Sequence, residues 1–100
     1  MSIATLTNTN FKKEVLDKKG RILVDFKAGW CGPCQMLSTI LEDLSQEYNI
    51  ASVDIDDEPD LAEEYEVNSI PCLVLFENGK EVKRNVGIQS EKFLRKWLSK

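Results

Sequence analysis

Two stretches of the chain, Ile22-Leu23-Val24-Asp25-Phe26 and Cys72-Leu73-Val74-Leu75-Phe76, have the length of a strand and almost no polar face. Side chains alternate between the two sides of a strand, so a run that is apolar at successive positions must be covered on both sides. Helices are the usual cover, and a helical pattern is present: Leu37, Ile40, Leu41, Leu44 and Tyr48 recur at i, i+3, i+4, i+7 and i+11. The two runs therefore demand a layered α/β structure. One hundred residues, 42% hydrophobic and 30% charged, suffice for one core of that kind.

Taken in order, the residues from Ile3 to Leu6 read as a short first strand. Thr7, Asn8 and Thr9 are good helix caps, Phe11, Val15 and Leu16 mark the buried face of a first helix, and Gly20 is placed to end it. The apolar strand at 22–26 follows, then a long second helix. Ala51, Val53 and Ile55 alternate with Ser52, Asp54 and Asp56, which predicts a third strand. Asp57-Glu58-Pro59-Asp60 opens a short helix with Leu61 and Tyr65 on one face. After the strand at 72–76, Asn78-Gly79 signals a hairpin into a last strand through Val82 to Val86. Ser90 caps a terminal helix whose stripe of Phe93, Leu94, Trp97 and Leu98 is expected to be buried.

The order is thus β-α-β-α-β-α-β-β-α. The alternation implies parallel strands joined by right-handed crossovers, and the hairpin adds an antiparallel edge. The expectation is a central mixed sheet flanked by helices on both faces. No linker, low-complexity segment or internal repeat interrupts it, so residues 1–100 are read as one domain.

A formal net charge of −4 opposes a nucleic-acid footprint, which is normally basic. No apolar run reaches the length of a membrane span. The segment Met1-Ser2-Ile3-Ala4-Thr5-Leu6-Thr7 lacks the basic and apolar regions of a signal peptide, so a cytoplasmic location is expected. In a reducing compartment three cysteines point to catalysis or metal binding rather than to a structural disulfide framework.

Two of the three cysteines form Trp30-Cys31-Gly32-Pro33-Cys34, between the first apolar strand and the long helix. The first amides of a helix have no internal partners and carry the positive end of its dipole, which favours a thiolate, the nucleophilic form of cysteine. Pro33 suits the first helical turn, where its missing N–H costs little. A structural zinc site or an iron–sulfur cluster ordinarily needs four ligands; with no histidine and only Cys72 besides the pair, the chain is short of them. The pair is read as a thiol–disulfide exchange motif, with no metal.

Trp30-Cys31-Gly32-Pro33-Cys34, preceded by Val24-Asp25-Phe26 and followed far downstream by Ile70-Pro71 and Val86-Gly87, resembles the thioredoxin family over nearly the whole chain. The resemblance implies the thioredoxin fold and a small dithiol protein that reduces disulfides in client proteins. Such a protein is a protein-disulfide reductase and electron carrier serving cell redox homeostasis. It binds no cofactor of its own, is re-reduced by a thioredoxin reductase, and is expected to be a monomer without nucleic-acid or membrane partners.

Roles follow residue by residue. Cys31, nearer the free helix end, is expected to attack, and Cys34, one turn deeper, to resolve the mixed disulfide and leave a Cys31–Cys34 bond. Asp25, a carboxylate inside an apolar strand, should have a raised pKa and exchange protons with Cys34. Trp30, Gly32 and Pro33 belong to the substrate-facing turn. Ile70 precedes a proline, Pro71, that is cis in the family, and the backbone before it pairs with the client chain. Gly87 leaves room for the client on the other side. Trp97 fits the apolar stripe of the last helix and is read as core.

Four positions depart from the family pattern. Lys27 stands where an aromatic residue is usual, Gln35 where a lysine or arginine is common, Ser52 where lysine is frequent, and Cys72 in place of threonine. Lys27 and Asp25 are two apart on one strand and share a face, so Lys27 is expected to supply the cation that Ser52 does not; the alternative is a lysine that reaches out to solvent. Cys72 is either a third redox thiol or a small, semi-buried filler. Two rival functions are a specialised oxidant or isomerase, and a thioredoxin-fold scaffold subunit whose thiols are secondary. Gly32-Pro33 favours a reductant over the first. The intact pair with Asp25 and Pro71 weighs against the second.

Overall fold

The computed structural model describes residues 3–100. Five strands form one sheet: β1 (Ala4–Thr5), β2 (Arg21–Lys27), β3 (Ile50–Asp54), β4 (Cys72–Glu77) and β5 (Lys80–Val86), in the spatial order β1-β3-β2-β4-β5. Three α-helices accompany it: α1 (Gly32–Leu44), α2 (Pro59–Glu64) and α3 (Glu91–Leu98). The helix expected after Thr7 is a π-helical turn, Lys12–Leu16, closed by the Asp17 N–H on the Lys12 carbonyl at 2.8 Å.

Both apolar strands lie in the interior of the sheet, and each of their faces has its own core. Ile22, Val24 and Phe26 of β2 and Cys72, Val74 and Phe76 of β4 pack with Phe11, Val15 and Leu61, beneath the π-helical turn and α2. Tyr65 seals that side, its ring 5.4 Å from Phe11 and 5.5 Å from Phe76. On the opposite face, Leu23, Leu73 and Leu75 pack against Leu37, Leu41 and Leu44 of α1 and Leu94 and Leu98 of α3.

The sheet is mixed, but its antiparallel part is larger than the alternation of elements implies. β1, β3 and β2 are mutually parallel, whereas β4 runs antiparallel to β2 as well as to β5. The helix between β3 and β4 is short. Six residues of helix span about 9 Å, against about 17 Å for the five residues of β3. The short helix stays near the end of the sheet at which β3 finishes, and β4 re-enters there, with Cys72 opposite Phe26.

The Asn78-Gly79 turn has φ of 53° and 84° at its two residues, as a tight hairpin requires. It is docked onto the chain before β2: the Gly20 N–H donates to Asn78 Oδ1 and the Asn78 N–H to the Gly20 carbonyl, both at 2.8 Å. Gly20, at φ 86°, thus serves this junction rather than ending the first helix. Ser90 caps α3, its hydroxyl accepting from the Phe93 N–H at 3.1 Å. Phe93, predicted on the buried stripe, is 42% exposed. An eight-residue helix on one face of a sheet buries a narrow stripe, which Leu94 and Leu98 fill. Trp97 is half-buried against that core, with the Lys83 ammonium 4.9 Å from its ring.

Candidate active site

The site lies where β2, β3 and β4 converge with the start of α1. Cys31 is the N-cap of α1, in extended conformation, and its sulfur accepts from the Cys34 N–H at 3.1 Å. Gly32 and Pro33 occupy the first turn, where no backbone donor is lost to the proline. Cys31 and Cys34 are joined by a disulfide, their Cα atoms 5.2 Å apart. The pair packs against Ala28, with Ile55 and Ile70 partly covering it. The expected difference in depth is small by area, Cys31 being 5% and Cys34 2% exposed. What distinguishes them is position: Cys31 precedes the helix and Cys34 is within it.

The turn before the pair is tied down from two directions. Trp30 is 69% exposed, and its indole Nε1–H donates to Asp56 Oδ2 at 2.8 Å. Asp54 sets up the acceptor loop, its Oδ1 taking the Asp56 N–H at 2.9 Å. Gln35 Nε2 donates to the Gly29 carbonyl at 2.9 Å, so the residue after Cys34 reaches back to the same turn. In the sequence Asp56 is only the last polar residue of an alternating pattern, and its pairing with Trp30 crosses 26 positions.

The Ile70–Pro71 peptide is cis, and Ile70 touches the cysteine cluster. The Pro71 carbonyl accepts from the Gly87 N–H at 2.8 Å. Gly87 has φ 95°, and a Cβ there would meet nothing within 4 Å; the surface on that side of Pro71 is open. Trp30, Gly32 and Pro33 thus flank the cysteines in sequence, Ile70 meets the pair from a second stretch of chain, and Gly87 is tied to Pro71 from a third.

Asp25 lies on the α1 side of β2, in register with Ser52 of β3 and Leu73 of β4. It is 3% exposed, and its Oδ1 has no hydrogen-bond partner. Burial pushes its pKa up from 3.8 to about 7, against the opposing pull of the Lys27 ammonium. A cavity of about 120 Å³ opens beside it, walled by Ile3, Thr5, Lys27, Ser38, Glu42 and Ser52, with polar lining and room for water. A second cleft of about 80 Å³ is lined by Cys34 with Lys27, Gln35 and Ser38. Lys27 and Ser38 belong to both.

Cys72 is elsewhere. It is buried in the core on the far face of the sheet, among Phe26, Val74 and Ile70. Burial pushes its thiol pKa up, the neighbouring Arg84 guanidinium opposing. Among the described residues, no three of His, Cys, Asp and Glu come together as a metal cage.

The thioredoxin family model matches residues 2–100. The thioredoxin of Chlamydia trachomatis is 45% identical over 101 residues, covering 98% of this chain and 97% of that protein. The thioredoxin of Rickettsia felis is 39% identical over 99 residues, covering 95% and 94%, and that of Porphyra purpurea 36% over 104 residues, covering 100% and 97%. The chain belongs to the thioredoxin family. Its sheet and helices are those of the thioredoxin fold, and its activity is that of a thiol–disulfide oxidoreductase, protein-disulfide reduction being general to the family. The disulfide at the start of α1 is the redox pair of this thioredoxin-family chain, present here in its oxidised form.

Proposed function

We propose that residues 1–100 act as one domain, a cytoplasmic general protein-disulfide reductase in which Cys31 attacks and Cys34 resolves. The observation that carries the assignment is the position of the pair on α1, with Cys31 as N-cap and Cys34 one turn in. In the reduced form the Cys31 thiolate is favoured by the helix terminus. It attacks one sulfur of a client disulfide; that bond breaks, a Cys31–client disulfide forms, and the departing client sulfur takes up a proton. Cys34, having lost its proton, then attacks Cys31 Sγ. The mixed disulfide breaks, the Cys31–Cys34 bond forms, and the second client sulfur leaves as a thiol. Two electrons pass from the dithiol to the client.

Asp25 is the proton acceptor for Cys34. A carboxyl with a pKa of about 7 is part ionised at neutral pH and can take a proton and return it. Water in the adjoining clefts carries the proton, since Lys27 and Ser38 wall both. The client docks on the exposed face of Trp30 and on Gly32-Pro33, with its backbone against Ile70-Pro71 and its flank over Gly87. Electrons return from a thioredoxin reductase, and the protein works as a monomeric electron carrier in cell redox homeostasis without a bound cofactor.

The test is trapping. The Cys34→Ser variant exposed to cell extract should accumulate client proteins bound through Cys31, and the Cys31→Ser variant should trap none by that route. Retained cellular function in the Cys31→Ser, Cys34→Ser double variant would instead identify a scaffold.

A further inference from the structure

Lys27, half-buried at the end of β2, lies two residues beyond Asp25 and on the same face of the strand. It enters no ion pair among the described residues. The groups around the Asp25 carboxyl are few. β3 presents Ser52, β1 Thr5, and α1 Ser38 and Glu42, while β4 places Leu73 in register. Lys27 is the one cation in that wall, and Glu42 is the one other carboxylate. Glu42 is exposed, so water screens its repulsion, whereas Asp25 is buried with an oxygen that no hydrogen bond satisfies. Cys72 lies across the sheet, its thiol kept neutral by burial. The same Lys27 lines the cleft that Cys34 borders.

We infer that Lys27, which lines both clefts, is a positioning residue for the resolving step: its charge steadies the ionised Asp25 carboxylate and so sets the pH range in which Asp25 accepts the Cys34 proton. The inference rests on the reading of Asp25 given above. A buried carboxylate without a nearby cation holds its proton more tightly. It is then less often the base that Cys34 needs at neutral pH, and the resolving step moves to higher pH. The charge comes from the strand that carries Asp25 itself, and Ser52, directly opposite, contributes none.

The experiment compares wild type, Lys27→Met, Lys27→Arg and Asp25→Asn. The Asp25 carboxyl is titrated by NMR in the oxidised proteins, and single-turnover reduction of a disulfide-linked reporter is followed between about pH 5 and 9. Lys27→Met should raise the Asp25 titration midpoint by roughly half to one pH unit and slow the reaction at neutral pH by about two- to fivefold. Its pH profile should move upward by the same interval, and Lys27→Arg should restore both. A merely structural lysine would move neither the midpoint nor the profile. An unmoved Asp25 midpoint in folded Lys27→Met overturns the inference while leaving Asp25 as the acceptor. A pH profile unaltered by Asp25→Asn overturns the role of Asp25 instead.

Discussion

Asp25→Asn removes one titration from the core and keeps the shape of the side chain, so it exposes what the buried carboxyl costs the fold. In the folded protein the pKa of Asp25 is about 7, raised by burial and held down in part by Lys27; in the unfolded chain it is the ordinary 3.8. Below the lower value both states hold the proton, and the carboxyl imposes no penalty. Between the two values the unfolded chain has released its proton while the folded protein retains it. The unfolded state then binds fewer protons, so stability falls as pH rises. Above about pH 7 the penalty is complete. The interval from 3.8 to about 7, at 1.36 kcal/mol for each pH unit, amounts to about 4 kcal/mol.

Guanidinium unfolding of both oxidised proteins, from about pH 3.5 to about pH 8.5, measures this directly. Groups that titrate alike in both proteins cancel in the difference. The stability of Asp25→Asn relative to wild type should climb between about pH 4 and 7 and level off about 4 kcal/mol above its acid value. The reasoning is refuted if that difference stays flat across the series, because a carboxyl that titrates alike in both states is not desolvated. A penalty of this size is a large part of the stability of a small domain. Its retention is intelligible when the carboxyl serves chemistry, as proposed for Cys34, and not packing.

Three further outcomes are expected. Gly79→Ala and Gly20→Ala both force a side chain into positive φ, but only the Cβ at position 79 would land on the Leu16 carbonyl. Thermal unfolding should place Gly79→Ala about 1–3 kcal/mol below Gly20→Ala, and equal losses would refute the contact. In a double-mutant cycle, Trp30→Phe and Asp56→Ala should couple by about 0.5–1.5 kcal/mol in stability; zero coupling would mean that the Nε1–Oδ2 bond does not hold the turn. Alkylation of the reduced native protein near neutral pH should modify Cys31 long before Cys72, which should react only on unfolding; fast labelling of Cys72 in the native state would refute its burial.

The features legible in the sequence are those determined within a few residues. A strand apolar at successive positions has to be covered on both faces, whatever follows, and β2 and β4 are. Asn78-Gly79 makes its own turn, and Ser90 caps its own helix. The shared face of Asp25 and Lys27 follows from the period of a strand. The direction of β4 is of another kind, since an alternating order of elements does not encode it. The exposure of Phe93 depends on how narrow a stripe α3 can bury, and the Trp30–Asp56 bond on two loops meeting in space.

The departures from the family pattern acquire a common sense from their positions. Gln35 holds the active-site turn through a neutral hydrogen bond to Gly29 and brings no charge to the helix side of the disulfide. Ser52 lies beside Asp25 and brings none to the β3 side. Cys72 contributes a thiol on the opposite face of the sheet, its pKa raised first by burial. Gln35 and Ser52 are therefore the uncharged positions beside the cysteine pair and its carboxyl, Cys72 lies across the sheet, and the fourth, Lys27, lines both adjoining clefts. The charged groups near position 27 are carboxylates, Asp54 in register on β3 and Glu42 in the cleft wall, besides Asp25 itself. If Asp25 is the proton acceptor proposed for Cys34, the cation nearest to it in the cleft wall is a single side chain of β2, two residues away.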